Sequence, residues 1–225
     1  MKLLELLELH TRALELAAAV VDTVQPEQLV LATPCAGWPL RRVLEHAVGQ
    51  HRGFAAAALG AGADLARWRD VPVHGDPAGA FRQSAERLTA AFATAGAAAE
   101  PAPLCLPEIG DGGPFPLDRA IGFHLLDTLV HAWDVAAALG PTDRLVAAVQ
   151  AEPPLVGALL TVAGAVPAAA GARGPGQAFA AVRAVPAGTG PFDRALALLG
   201  RDPSWSALDL PAPGGTARTD FAKSR

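Results

Sequence analysis

Residues 123–140 read FHLLDTLVHAWDVAAALG, a run without Pro or internal Gly that stops at Gly140 and Pro141, the punctuation of a helix C-terminus. On a helix, His124, Asp127, His131 and Asp134 follow one another at spacings of three, four and three and therefore share one face. Leu125, Leu126, Leu129, Val130 and Trp133 cover the rest of the circumference. Such a polar stripe either faces water or, if buried, must be paired or bind something, because isolated buried charge is costly. Asp127 and His131 form the sharpest pair, since i and i+4 on a helix lets two side chains reach one metal ion.

Composition agrees with a helical protein. Of 225 residues, 51% are hydrophobic but only 5% aromatic, with no Tyr; an apolar mass of Ala, Leu and Val suits closely packed helices. The net charge is −4 and no basic block stands out, which sets nucleic acid aside as a partner. Two cysteines, Cys35 and Cys105, make no disulfide framework, and a reducing cytoplasm is the expected compartment. Residues 3–24 are apolar-rich but carry Glu5, Glu8, His10, Arg12, Glu15 and Asp22, so no membrane span is expected there, and the secretory series is missing.

Three further long helices precede the opening stretch. Residues 2–23 place Leu3, Leu7, Leu14, Ala18 and Val21 on one face, with His10 among them as a core histidine. After a connection ending in TPCAGW, Pro39 starts a second helix that runs to about residue 59. There Leu40, Leu44, Ala47, Val48 and His51 share one side, whereas His46 lies with Arg42, Gly49, Gln50 and Gly53. Patterning alone therefore nominates His51 as the inward histidine. Asp76 and Pro77 open a third helix carrying Phe81, Ala85, Leu88 and Phe92 to about residue 95. Residues 103–116, rich in Pro and Gly, read as an extended excursion or hairpin, and the fourth helix begins near Leu117.

Beyond Gly140 the signals predict helices at 142–151, with Thr142 as cap, and at 155–166, then a mobile Ala/Gly/Pro-rich loop at 168–176. A short strand is expected at 179–185 and a helix at 191–199, closed by Gly200. The expected architecture is an all-α core: a four-helix bundle over 1–140, an irregular appendage of short helices and a possible strand over 141–205 packed on it, and a disordered tail over 206–225.

Three stretches carry a resemblance: TPCAGWPLRRVLEHAVG at 33–49, LDTLVHAWDVAAALG at 126–140 and PFDRALALLGRDPSW at 191–205. Together they resemble the actinobacterial relatives of mycothiol-dependent maleylpyruvate isomerase, within the DinB-like four-helix bundle superfamily. The resemblance implies a DinB-like bundle with a divalent metal, often zinc, at one end, held by His46, Asp127 and His131. It favours His46 over His51 as the ligand on the second helix. Asp127 stands where the family's isomerase has Glu, a shorter reach. No thiol-binding residues are carried over.

Two His and one carboxylate leave metal positions open, as a catalytic rather than a closed structural site requires. The resemblance points to mycothiol as co-substrate, activated as a metal-bound thiolate. The expected function is a metal-dependent mycothiol S-transferase or isomerase acting on a small electrophilic metabolite. A non-catalytic metal- or ligand-binding bundle and a hydrolase using metal-activated water are the alternatives. Asp134, one turn beyond His131, is a catalytic candidate, as a general base or for orienting His131's neighbours, and His124 is a second one, for proton transfer or, equally, a surface imidazole. Cys35 reads as a buried structural thiol, Cys105 has no visible partner, and Trp38 and Trp133 read as core anchors. Oligomeric state is left open.

Overall fold

Leu117–Leu139, here α4, is the axis of the computed structural model, which describes residues 1–109, 112–140, 142–168, 173–174 and 178–207. Around it stand α1 (Leu3–Val21), α2 (Leu40–Ala58) and α3 (Pro77–Gly96). Helix α1 packs on α3 and α4, and α2 packs on α3 and α4, so the four close into a ring. Trp133, Phe92, Leu40, Leu44, Leu88, Ile121, Leu125 and Leu129 fill its centre with almost no exposed surface, each such burial contributing about 1.5–3 kcal/mol. The Asp76 carboxylate caps α3 by accepting from the Gly79 N–H at 2.8 Å, and Gly140, at φ +123°, ends α4 where a side chain would be strained. Each long helix falls within a residue or two of its sequence-based bounds.

Three shorter helices follow: α5 (Asp143–Gln150), α6 (Pro153–Ala165) and α7 (Pro191–Leu198). Helix α6 begins two residues before its expected start, because its prolines occupy the first turn, where no N–H is needed. It packs on α4, α1 and α7. Packed against neighbours over most of its length, α4 buries most of its polar stripe as well as its apolar surface: His124 and Asp134 are buried and His131 nearly so, with Asp127 partly exposed. Thr142 provides no side-chain cap for α5.

The strand expected at 179–185 does not form. Among the described residues there is no neighbouring strand for it to pair with; the segment is mostly exposed, and its Arg183 N–H donates to the Ala197 carbonyl of α7 at 3.0 Å. Alternation makes a strand only when a partner supplies the ladder. The 103–116 excursion closes as one antiparallel bridge, Leu104 and Phe115 exchanging N–H···O bonds of 2.7 and 2.9 Å. Most of the loop expected at 168–176, and the tail from residue 208, lie outside the described residues. Among the described residues no single helix is long and apolar enough to cross a membrane.

Candidate metal centre

At one end of the bundle, α2 and α4 present His46, Asp127 and His131 to a common point. One donor atom from each lies within 4.8 Å of the others. The Asp127 Oδ1 is 3.4 Å from His131 Nε2 and 4.0 Å from His46 Nε2. Donors on a tetrahedral ion with bonds of about 2.0–2.1 Å sit about 3.3 Å apart, so the set fits a small divalent ion after slight closure. His46 and Asp127 remain partly exposed, at 19% and 29%, which leaves the cluster open on its outer side. Inward, a cavity of about 10 Å³ lined by His51, Asp127, Thr128 and His131 is too small for anything larger than a water molecule. A ligand must therefore arrive from the mouth.

The ring nitrogens are oriented from behind. His131 Nδ1–H donates to Asp134 Oδ2 at 2.9 Å, and since a carboxylate only accepts, His131 turns its Nε2 lone pair toward the cluster. Asp134 is fully buried and receives two bonds from Arg201, Nε to Oδ1 and Nη2 to Oδ2, both 2.9 Å. The guanidinium comes from beyond α7, in the GRDPSW stretch. Burial alone would raise the Asp134 pKa, but the His131 and Arg201 partners outweigh it and hold the carboxyl ionised, below its ordinary range. Burial alone would likewise lower His131; Asp127 and Asp134 outweigh it and raise the imidazole above its ordinary value. On the other ligand, Asp70 Oδ1 stands 3.5 Å from His46 Nδ1. His131 thus carries a hydrogen-bonded carboxylate at Nδ1, the usual support of a metal-bound histidine, while the carboxylate facing His46 Nδ1 stands off at 3.5 Å. Trp38 is partly buried rather than a core anchor: its ring lies 4.9 Å from that of His46 and stacks within 9° of His131 at 6.1 Å. Trp133 is core.

The two readings of α2 describe different things. His51 is the buried histidine, as patterning predicts, and its Nδ1–H donates at 2.7 Å to Ser84, whose own hydroxyl donates to the Phe81 carbonyl. His46, on the flank of the apolar face, is the one in the cluster. His124 is a core imidazole away from the three donors. Its Nδ1 sits 2.9 Å from His10 Nε2 and 3.1 Å from Thr128 Oγ1, and its Nε2 is buried without a hydrogen-bond partner. Cys35 is half-buried, and burial, aided by Asp134 and Asp127 against Arg201 and Arg42, pushes its thiol up to about 11, so it is protonated at neutral pH. Arg201 and Asp70 escaped the sequence reading. Arg201 was recoverable in principle, because a buried carboxylate demands a cation, but nothing in the sequence links positions 67 residues apart.

A family model described as "Mycothiol maleylpyruvate isomerase N-terminal domain" matches residues 10–136. Uncharacterized proteins from Mycobacterium tuberculosis strains CDC 1551 / Oshkosh and ATCC 25618 / H37Rv are each 30% identical over 197 residues, which cover 85% of this chain and 95% of theirs. Among solved structures, the crystal structure of the mycothiol-dependent maleylpyruvate isomerase superposes with a TM-score of 0.53 at 15% identity, over 72% of this chain and 70% of that one. The similarity to it is one of fold.

Proposed function

The chain belongs to the mycothiol maleylpyruvate isomerase N-terminal domain family, and on that premise we propose that it is a metal-dependent enzyme that brings mycothiol to a small electrophilic metabolite, as an S-transferase or an isomerase. The observation that carries the reading is the convergence of His46, Asp127 and His131 at an open bundle end. Three protein ligands and an accessible outer side are the pattern of a catalytic ion; a structural one takes four. When bound there, a divalent ion, zinc by the N/O donor set, supplies Lewis acidity that lowers the pKa of a thiol at its open position.

The protein's own residues do the rest. Asp127 and the two imidazoles hold the ion. Asp134, itself neutralised by Arg201, keeps the His131 Nδ1 protonated so that Nε2 stays a free lone pair; Asp134 is a positioning residue with both oxygens engaged. Asp70 faces His46 Nδ1 at 3.5 Å without a hydrogen bond, so the second imidazole is held less firmly. Buried His124 contributes to the core and touches none of the three donors. Trp38 walls the two imidazoles and limits where a substrate can lie.

The test is metal analysis of protein purified without chelator, followed by cobalt substitution. About one ion per chain is expected; His46→Ala and His131→Ala lose it and His51→Ala keeps it. Mycothiol added to the cobalt protein should give an intense near-ultraviolet band with release of about one proton per site. A protein that holds no ion and takes up none on titration rules the reading out. A metal protein without the band that hydrolyses test esters is the hydrolase, and one that does neither is a binding bundle.

A further inference from the structure

Away from the metal centre, a groove of about 850 Å³ runs between α2 and α3. The two helices lie side by side in the same direction: His51 bonds Ser84 and, further along both, Phe54 packs on Phe92. That register brings Arg52 and Arg87 to about the same level, one from each bank. The trough between them is apolar. Ala55, Ala56, Ala90 and Ala91 line it, and Leu59, 65% exposed, stands at one end. Alanine side chains are too short to fill such a trough, so apolar surface is left for a ligand to cover. Buried His51 and Ser84 close the floor.

The charge on this groove is of one sign. Arg52, Arg67 and Arg87 line it, and among the described residues no carboxylate does, although the chain as a whole carries −4. Arg67 faces Asp64 at 3.4 Å. Arg52 and Arg87 make no hydrogen bond or ion pair among the described residues, so both planar forks are free to donate to an anion. An apolar trough flanked by uncommitted guanidiniums is complementary to a molecule with an apolar body and an anionic head. The volume lies within the range of about 300–1,000 Å³ of pockets that take small ligands.

We propose that the groove between α2 and α3 binds a single-chain anionic amphiphile, an acyl carboxylate or alkyl phosphate, its chain along the alanines and its head between Arg52 and Arg87. The groove shares His51 with the small cavity behind the metal cluster but none of the three metal donors, so it stands whatever reaction the metal end performs.

The test is calorimetry of the full chain as purified with decanoate, decyl phosphate and decanol, each below its micelle concentration. A single saturable site is expected, both anions binding about tenfold or more tighter than the alcohol; the tighter anion identifies the head group. Arg52→Ala with Arg87→Ala, both at exposed positions, should remove that advantage, and Arg52→Lys with Arg87→Lys should keep part of it. Arg41→Ala with Arg144→Ala takes the same charge from exposed positions outside the groove and should leave binding unchanged. Ala90→Trp should fill the trough and abolish binding of all three, which separates the groove from a carboxylate held at a metal. Circular dichroism checks that each variant is folded. No uptake of decanoate, decanol binding as tightly as decanoate, or anion binding that survives either the double Ala variant or Ala90→Trp overturns the proposal. Inorganic phosphate binding as tightly as decyl phosphate does so too, since the chain would then contribute nothing. Binding to vesicles of anionic phospholipid without uptake of monomeric decanoate also overturns it, and makes the groove a membrane contact instead.

Discussion

A carboxylate with no exposed surface persists in this core because Arg201 and His131 together meet its charge. Breaking such a pair from one side leaves an uncompensated buried charge, typically about 3–5 kcal/mol. Arg201→Met should lower stability by about that much in urea unfolding, and metal affinity with it, since the His131 ring loses its fixed support; outer-shell losses of this kind cost about 10- to 100-fold in affinity. The double change Arg201→Met, Asp134→Leu separates the two effects. With both charges gone, most of the stability should return, while metal affinity stays low because His131 Nδ1 has lost its acceptor. A double variant that regains full metal affinity would show that the Asp134 carboxylate does not support the site.

At the scale of the element, the helices were legible because their apolar periodicity and their stops were written locally: Asp76 and Pro77 at the start of α3, Gly140 at the end of α4. The direction of the α4 stripe was not, since it depends on α6, which follows Gly140 and covers the side that would otherwise face water. His46 was legible only through its motif, because a ligand at a bundle mouth sits on the flank of the apolar face. The supposed strand at 179–185 failed because alternation says nothing about partners. Arg201 depends on one turn: Gly200 has φ +83°, and a Cβ there would lie 2.7 Å from the Ala180 Cβ and 2.8 Å from its carbonyl oxygen. Gly200→Ala should therefore cost more than the about 1–2 kcal/mol of a left-handed backbone alone, and should weaken metal binding by shifting Arg201. Gly140→Ala is the control, with φ +123° and nothing within 4 Å of the added carbon; it should cost stability and leave metal affinity unchanged. Equal effects of the two on metal binding would disconnect the turn from the site.

At the scale of the whole molecule, the four bundle helices meet in a core of imidazoles. His10 from α1 and His51 from α2 both abut His124 from α4, with ring centroids 5.0 Å apart for His10 and His124 and 5.2 Å for His51 and His124, and Ser84 of α3 holds His51. Phe54, Phe92 and Phe81 pack around them, and among the described residues no carboxylate hydrogen-bonds to any of the three. Burial lowers His10 and His51 to about 3 and His124 well below its ordinary value, the neighbouring imidazoles adding to the effect on His51 and His124. The unfolded chain takes protons at these residues near 6.5. Above that pH neither state binds them and stability is unaffected; as pH falls below 6.5 toward 3 the unfolded state binds more protons, and each site withdraws about 1.4 kcal/mol per pH unit. His131 has the opposite sign in metal-free protein: raised when folded, it adds stability below 6.5 and loses it as pH rises through its folded value. Asp134, lowered, keeps its contribution until pH falls below its ordinary 3.8. In the window from 6.5 to about 4 His131 is protonated in both states and adds no slope, so the three buried imidazoles set it and the urea midpoint of metal-free protein should drop steeply as pH falls from about 6.5 to 5. His10→Leu with His124→Leu should flatten that drop, whatever it does to stability at pH 7.5, whereas His131→Gln should leave the slope below 6.5 unchanged and abolish the gain in stability that accompanies a fall in pH toward 6.5. A native midpoint that holds level from pH 7 to pH 5 would mean that the core admits protons or water around these rings, and that the histidines are not the sealed, neutral centre of the bundle.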